Sequence, residues 1–541
     1  MHGRGKPTRI SGAWIAILLA FATLSFAADA PLVEAAKNRD RAAVRALLAQ
    51  SVQKADVNAR QGDGTTALAW AAHWNDDETA GLLIRAGADV NLANDYGVTP
   101  LSLACTQGNA ALVRMLLDAG ANPNAARTTG ETPLMTCART GSADAVKLLL
   151  DRGADPNAKE SRRGQTALMW AVAQKHPEAA AVLMTSGADP NAVSHMPDGF
   201  TPAQYLTYGV YRRDPTRVDT FGPDGVHPDP ASSRGGFSAL MFAARAGDLD
   251  SARLLVEAGA EVNHASPEYG SALVVAAASG HEDFARLLLQ RGADPNVTDR
   301  WGFTALHYAL RDGLTAIGMS RERIPTDSYW LRPGIPGLVK TLLDHGADPN
   351  ARVGDGLPAF DYPPFQRTTG NMMPQIRQPG ATPFFLAAAS LDAGLMRLLL
   401  DHGADPTLST AEGTTPLMAA SGMGRLEDLT EAEQQKALEA ARLALEKGND
   451  VNAANQDGRT ALAAAAYVGA NGVMQLLAEH GADLDQKDRY GQTALSIARG
   501  IAPKFEGGDK RFHDPSPHPE AAELLLQLGA TPPETAPRTG R

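Results

Sequence analysis

Metal-ligand residue types gather at one place in the sequence, where His513, Asp514, His518 and Glu520 lie within eight positions. Imidazole nitrogens with carboxylate oxygens are a donor set for zinc and related metals. Prolines at 515, 517 and 519 hold this stretch extended with no fixed ligand geometry, so no metal is expected. Asp224-Gly225 and Asp355-Gly356 lack the ligand spacing of a calcium loop. Gly-x-Ser-x-Gly, a phosphate loop and His-Glu-x-x-His are all missing from the sequence. Asp residues recur instead once per copy of a Gly-Ala-Asp motif, which is a structural distribution. No catalytic residue, cofactor or metal is therefore expected.

The elements that carry these residues are set by a repeat. A Gly-x-Thr-x-Leu block returns at Gly64, Gly97, Gly130, Gly164, Gly236, Tyr269 (with Gly270 one place late), Gly302, Gly380, Gly413, Gly458 and Gly491. Most intervals are 33 residues, and the longest are 72 and 78. Thr66, Thr99, Thr132, Thr166, Thr304, Thr382, Thr415, Thr460 and Thr493, with Ser238 and Ser271, stand where a hydroxyl can cap a helix. Proline follows at 100, 133, 383 and 416, where the first turn has no use for an N–H. Small pairs such as Ala71-Ala72 and Ala243-Ala244 let this leading helix approach its neighbours. A trailing helix carries Leu148-Leu149-Leu150, Leu287-Leu288-Leu289 or Leu398-Leu399-Leu400, a face buried only when another unit stacks on it. Glycine of Gly-Ala-Asp, as at Gly87, Gly120, Gly153, Gly187, Gly259, Gly292, Gly346, Gly403 and Gly481, suits a left-handed helix end.

A 33-residue period with this block resembles the ankyrin-repeat family over roughly residues 31 to 530. The resemblance implies an all-α ankyrin solenoid of about 12 helix-turn-helix repeats with β-hairpin fingers and long loop insertions. Residues 31 to 63 fit a divergent first repeat. A dozen units spaced by about 8 to 10 Å make a curved rod on the order of 100 Å long. His307 falls where ankyrin repeats often carry a structural histidine, so the resemblance implies a hydrogen-bonding brace.

Cys105 and Cys137 are the two cysteines, each at a small-residue position of a leading helix in adjacent repeats, and no Cys-x-x-Cys occurs. Helices about 8 to 10 Å apart are taken to hold their Cα atoms beyond the ~7 Å limit of a disulfide. Two buried free thiols are expected.

Arg4, Lys6 and Arg9 precede an apolar run from Ile10 to Ala28 with small residues at its end. That pattern describes an export signal, cut after Ala27; kept intact, the segment would tether the chain to a membrane. Domain bounds follow as 1–27 for the signal, 28–530 for the solenoid and 531–541 for a disordered tail too rich in Pro and Thr to pack. The chain is expected to be exported, periplasmic or secreted, from a bacterial source, and monomeric. Its net charge of −11 becomes −14 when Arg4, Lys6 and Arg9 leave with the signal, which argues against nucleic acid as a partner.

Surplus residues fall at 192–235, 314–336, 351–379, 423–434 and 501–518. The first of these contains Phe200, Tyr205, Tyr208, Tyr211 and Phe221 with Arg212, Arg213 and Arg217; the third holds Phe360, Tyr362, Phe365, Met372 and Met373 with Arg352, Arg367 and Arg377. These types are enriched at protein interfaces, and they serve equally as cover for the solenoid. By resemblance, ligand contacts gather just after the small pair of the leading helix: His73 and Trp74, Thr106 and Gln107, Arg139 and Thr140, Ala173 and Gln174, Arg245, Arg311 and Asp312, and Tyr467. Trp70, Trp170, Phe242 and Tyr308 are expected to pack between helix and hairpin. The expected role is a non-catalytic scaffold holding a protein partner on its concave and hairpin-loop surface. The rival class is a small-molecule or enzymatic site closed by loops 192–235 and 351–379.

Overall fold

Among the described residues, pairs of short helices, many joined by tight turns, follow one another with hairpin turns between pairs. The computed structural model describes residues 31–49, 56–195, 235–310, 335–354, 379–425, 428–501 and 516–532. Among them are 24 helices and one two-stranded antiparallel ribbon, Ala265–Ser266 against Gly270–Ser271. They fall into two compact units, 1–162 with 166–189, and 163–165 with 190–541. The repeat architecture is an all-α ankyrin solenoid.

Most leading helices start at a hydroxyl cap. Thr66 accepts from the Ala69 amide at 3.2 Å, Thr382 from Phe385 at 3.2 Å and Thr460 from Ala463 at 3.2 Å. Ser271 makes no such bond, and its buried hydroxyl has no partner. The trailing helix has caps of its own, as when Asp76 accepts from Thr79 and Asp392 from Leu395. Beside half-buried neighbours such as Leu148, Leu150, Leu287, Leu398 and Leu400, its leucines Leu83, Leu149, Leu288 and Leu399 are fully buried. Each contributes about 1.5 to 3 kcal/mol by leaving water, and does so only because another helix pair covers it. The small faces of the leading helices, Ala71-Ala72 and Ala243-Ala244 among them, are likewise sealed. Gly87 ends its trailing helix at φ +90°, a conformation glycine adopts without strain.

An asparagine ladder joins each pair to the next. In the first unit Asn124 accepts from the Asp155 amide at 2.9 Å and donates to the Gly153 carbonyl at 2.8 Å. Within the second unit Asn296 does the same with Asp348 and Gly346, at 2.7 and 3.0 Å, although the partners lie 52 and 50 residues ahead. Asn191 reaches Glu261 and Gly259 at 2.7 and 3.0 Å across a still longer interval. The insertions therefore leave the ladder's register intact. One rung changes type, because Thr407 stands where asparagine is expected and turns back on Asp405. Asn449 compensates by donating to the Pro406 carbonyl at 3.0 Å.

The cysteines overturn the expectation of free thiols. Cys105 and Cys137 form a disulfide with Cα atoms 4.5 Å apart. A helix-axis separation of about 8 to 10 Å is not a Cα separation: Cα atoms ride about 2.3 Å off each axis, so residues facing one another come within disulfide reach. The surplus at 423–434 is also not wholly loop. Thr430 caps a 16-residue helix, Glu431–Glu446, against nine residues in trailing helices such as Ala393–Asp401.

Candidate protein-binding edge

The first unit lines up the ends of its leading helices by hydrogen bonds that run backwards from one pair to the previous one. Trp74 donates its indole N–H to the Lys37 carbonyl at 2.9 Å. Gln107 donates to the His73 carbonyl at 3.0 Å, and Thr140 to that of Cys105 at 3.1 Å. The His176 Nε2 meets the Arg139 carbonyl at 3.0 Å. These bonds fix the spacing of the edge and leave its side chains standing on a rigid base.

Aromatic rings and cations alternate on that base. Trp70, anchored by its N–H on Gln61 at 3.1 Å, stacks on Trp74 at 6.0 Å. His73 meets Trp74 edge-on at 4.5 Å, and the Arg39 guanidinium covers the Trp74 ring at 4.0 Å. Two pairs further on, Arg139 lies over Trp170 at 5.1 Å and 3.8 Å from Glu131. Trp70, His73, Trp74, Arg139 and Trp170 are all half-buried, while Thr106, Gln107 and Gln174 are exposed and Ala173 is half-covered. A cation over an indole contributes about 0.5 to 1 kcal/mol at an exposed site, which holds the guanidinium in place without removing it from solvent.

In the second unit the same slots are more enclosed. Arg245 stacks on Phe242 at 5.4 Å and Phe237 at 6.0 Å, both rings being buried. Tyr308 is buried and donates its hydroxyl to Asp299 at 2.7 Å. Tyr467 is half-buried, and its carbonyl meets the His518 Nε2 at 3.0 Å. His518 thus stands at the N-cap position of the helix Pro519–Leu528 without a side-chain cap bond and ties that helix to the preceding pair. Arg352, from the edge of the expected loop, bonds the Ser409 carbonyl at 3.1 Å. Arg311, Asp312, His513 and Asp514 lie outside the described residues, as do Phe200, Tyr205, Tyr208, Tyr211, Arg212, Arg213, Arg217 and Phe221. So do Phe360, Tyr362, Phe365, Arg367, Met372, Met373 and Arg377.

His307 is fully buried. Its Nδ1 accepts from the Thr304 amide at 3.1 Å, which assigns the proton to Nε2 for donation to the Ala351 carbonyl at 3.2 Å. Burial pushes its pKa down to about 4, against the opposing effect of the carbonyls of Ala351 and Ala381. A neutral, fully bonded imidazole in this setting holds the hairpin in place and has no site for a substrate.

Sequence reasoning missed three features. The asparagine of the repeat motif carries no sign of its role in the sequence pattern, though its two-sided amide matches the donor and acceptor of the next turn. Axis spacing favours free thiols where the structure has the Cys105–Cys137 disulfide. Finally, Arg39, Asn75 and Lys175 hold φ of +59°, +58° and +60°, in the turn where sister pairs carry Gly108 and Gly141 at +65° and +76°. The signal for these was a non-glycine residue at a slot that other copies give to glycine.

Comparison with known families gives a match to a model described as ankyrin repeats in three copies, over residues 32–127, 124–194, 240–318 and 429–533. The ankyrin repeat and LEM domain-containing protein 1 homolog of Caenorhabditis elegans is 37% identical over 95 residues, 17% of this chain and 14% of that protein. The chain spans about a seventh of the length of this curated relative.

Proposed function

Because the chain belongs to the ankyrin-repeat family, whose repeats generally mediate protein–protein interaction and are generally non-catalytic, we propose that it is an exported, non-catalytic scaffold for a protein partner. The observation that carries this reading is the edge of the first unit, where half-buried Trp70, Trp74, Trp170 and Arg139 stand on a hydrogen-bonded base. Trp and Arg are the residue types that dominate binding energy at interfaces. The Cys105–Cys137 disulfide supports export to an oxidising compartment, where such bonds persist. The sealed environment of His307 supports a non-catalytic role.

Two experiments test it. Partners captured by crosslinking the exported chain should fall when 197–233 and 356–377 are removed or when Trp70 and Trp170 are replaced by alanine; an unchanged set from all these variants rejects the assigned surface. N-terminal sequencing of the mature protein should begin at Ala28, and an intact Met1 rejects the cleaved form.

A further inference from the structure

Where sister pairs use glycine to turn from leading to trailing helix, Arg39 and Lys175 take the left-handed backbone with a long cationic side chain. A non-glycine residue there is strained, and Gly108 shows that the same turn closes without a side chain. Both cations are exposed. With Lys37, which pairs with Glu34 at 3.2 Å, and Arg139, 3.8 Å from Glu131, they place four cations at the ends of leading helices, Arg39 over Trp74 and Arg139 over Trp170. Cations in a helix's last turn complement its dipole, but the dipole asks neither for an indole under each guanidinium nor for a strained backbone.

Carboxylates lie across the turn, at the start of the trailing helices, and most are occupied. Asp40 caps Ala43, Asp76 takes Arg41 and Thr79, Asp77 takes Asn109 and Glu78 pairs with Arg41 and Arg45. Asp144 and Glu178, in the first turns of later trailing helices, are exposed. Acidic and basic side chains nearly balance over 31–195, so the net −11 of the chain arises almost wholly beyond this unit.

We infer that this edge of the first unit receives an extended acidic peptide segment of a partner protein, its carboxylates on Lys37, Arg39, Arg139 and Lys175 and its apolar side chains against Trp70, Trp74 and Trp170. This rests on the scaffold reading and names the chemistry of the partner. Four steps of about 8 to 10 Å separate the first pair from the fifth, a distance covered by roughly ten to twelve extended residues at about 3.3 Å each.

The test is fluorescence anisotropy on the full chain with a labelled dodecapeptide of repeated Glu-Glu-Phe, against Lys-Lys-Phe, Glu-Glu-Ala and an oligothymidylate of equal length. The acidic aromatic peptide should bind at least about tenfold more tightly than each of the others and weaken as salt rises. Arg39→Glu should weaken it by about tenfold. Lys175→Gly should weaken it severalfold while raising the thermal midpoint by roughly 2 °C, because the strained turn is relieved; a merely structural lysine would raise the midpoint with no loss of binding. Equal binding of the lysine peptide, preference for the oligonucleotide, or full affinity in both variants overturns the inference. The scaffold reading fails separately, since it is judged by capture of a natural partner; a captured partner that ignores the Arg39 and Lys175 changes would keep the scaffold and discard the acidic segment.

Discussion

A proton reaching His307 would have to displace the Thr304 amide from Nδ1 in a place with no solvent. The unfolded chain binds that proton near the ordinary pKa of 6.5 and the native state only near about 4. Stability from this residue is therefore complete above pH 6.5 and drains away as pH falls through that window, by on the order of 3 kcal/mol at the lower end. Denaturant titrations at pH 7 and pH 4.5 should show the fall in the parent and a flatter profile in His307→Gln. Asn124 works by shape rather than charge. Replacing it with alanine leaves the Asp155 amide and Gly153 carbonyl to water, an expected loss of about 1 kcal/mol, read as a lower denaturant midpoint.

Between elements, the bond that matters most is Cys105–Cys137, which spans a sequence separation of 32 residues. Closing a loop of that size restricts the unfolded chain by about 3 to 4 kcal/mol. Dithiothreitol should lower the thermal midpoint of the parent and leave that of a Cys105→Ala, Cys137→Ala double variant unmoved; thiol titration of the denatured, unreduced protein should find no free cysteine. The packing around it was readable from sequence, because Ala and Cys share one slot on leading helices and caps such as Thr66 and Thr382 announce where each helix starts. The pairing was not readable, because it depends on which Cα atoms face across two axes, a matter of rotation that spacing alone does not supply. The edge was partly legible in the same sense. Trp74 and Gln107 stand out as variable residues at a fixed slot, but their tie to backbone carbonyls of the preceding pair is a three-dimensional fact. The half-stacked cation at Arg39 shows only once its backbone is seen to be left-handed.

At the scale of the whole chain, insertions are tolerated because hairpins close beneath them. The Ser194 amide meets the Phe237 carbonyl at 2.9 Å and the Gly236 amide meets the Ser194 carbonyl at 2.7 Å, so the ends of the first long surplus are already joined. Loop closure grows slowly with length, about 0.6 kcal/mol per doubling. Removing 197–233 with a short Gly-Ser link should shift the thermal midpoint of the chain by no more than a few degrees, a result checked by scanning calorimetry. A collapse of the transition would mean that the segment packs as core.

The ladder has a direction. Each asparagine grips the turn that follows it, so a pair is locked at its front by what came before and waits for its own successor. At the last turn the gripping residue is Asp485, which accepts from the Thr531 amide at 2.8 Å but, as a carboxylate, has no hydrogen to offer the carbonyl of Gly529. The last rung among the described residues is therefore half a rung, so its turn is held by one backbone bond where the turn after Asn124 is held by two.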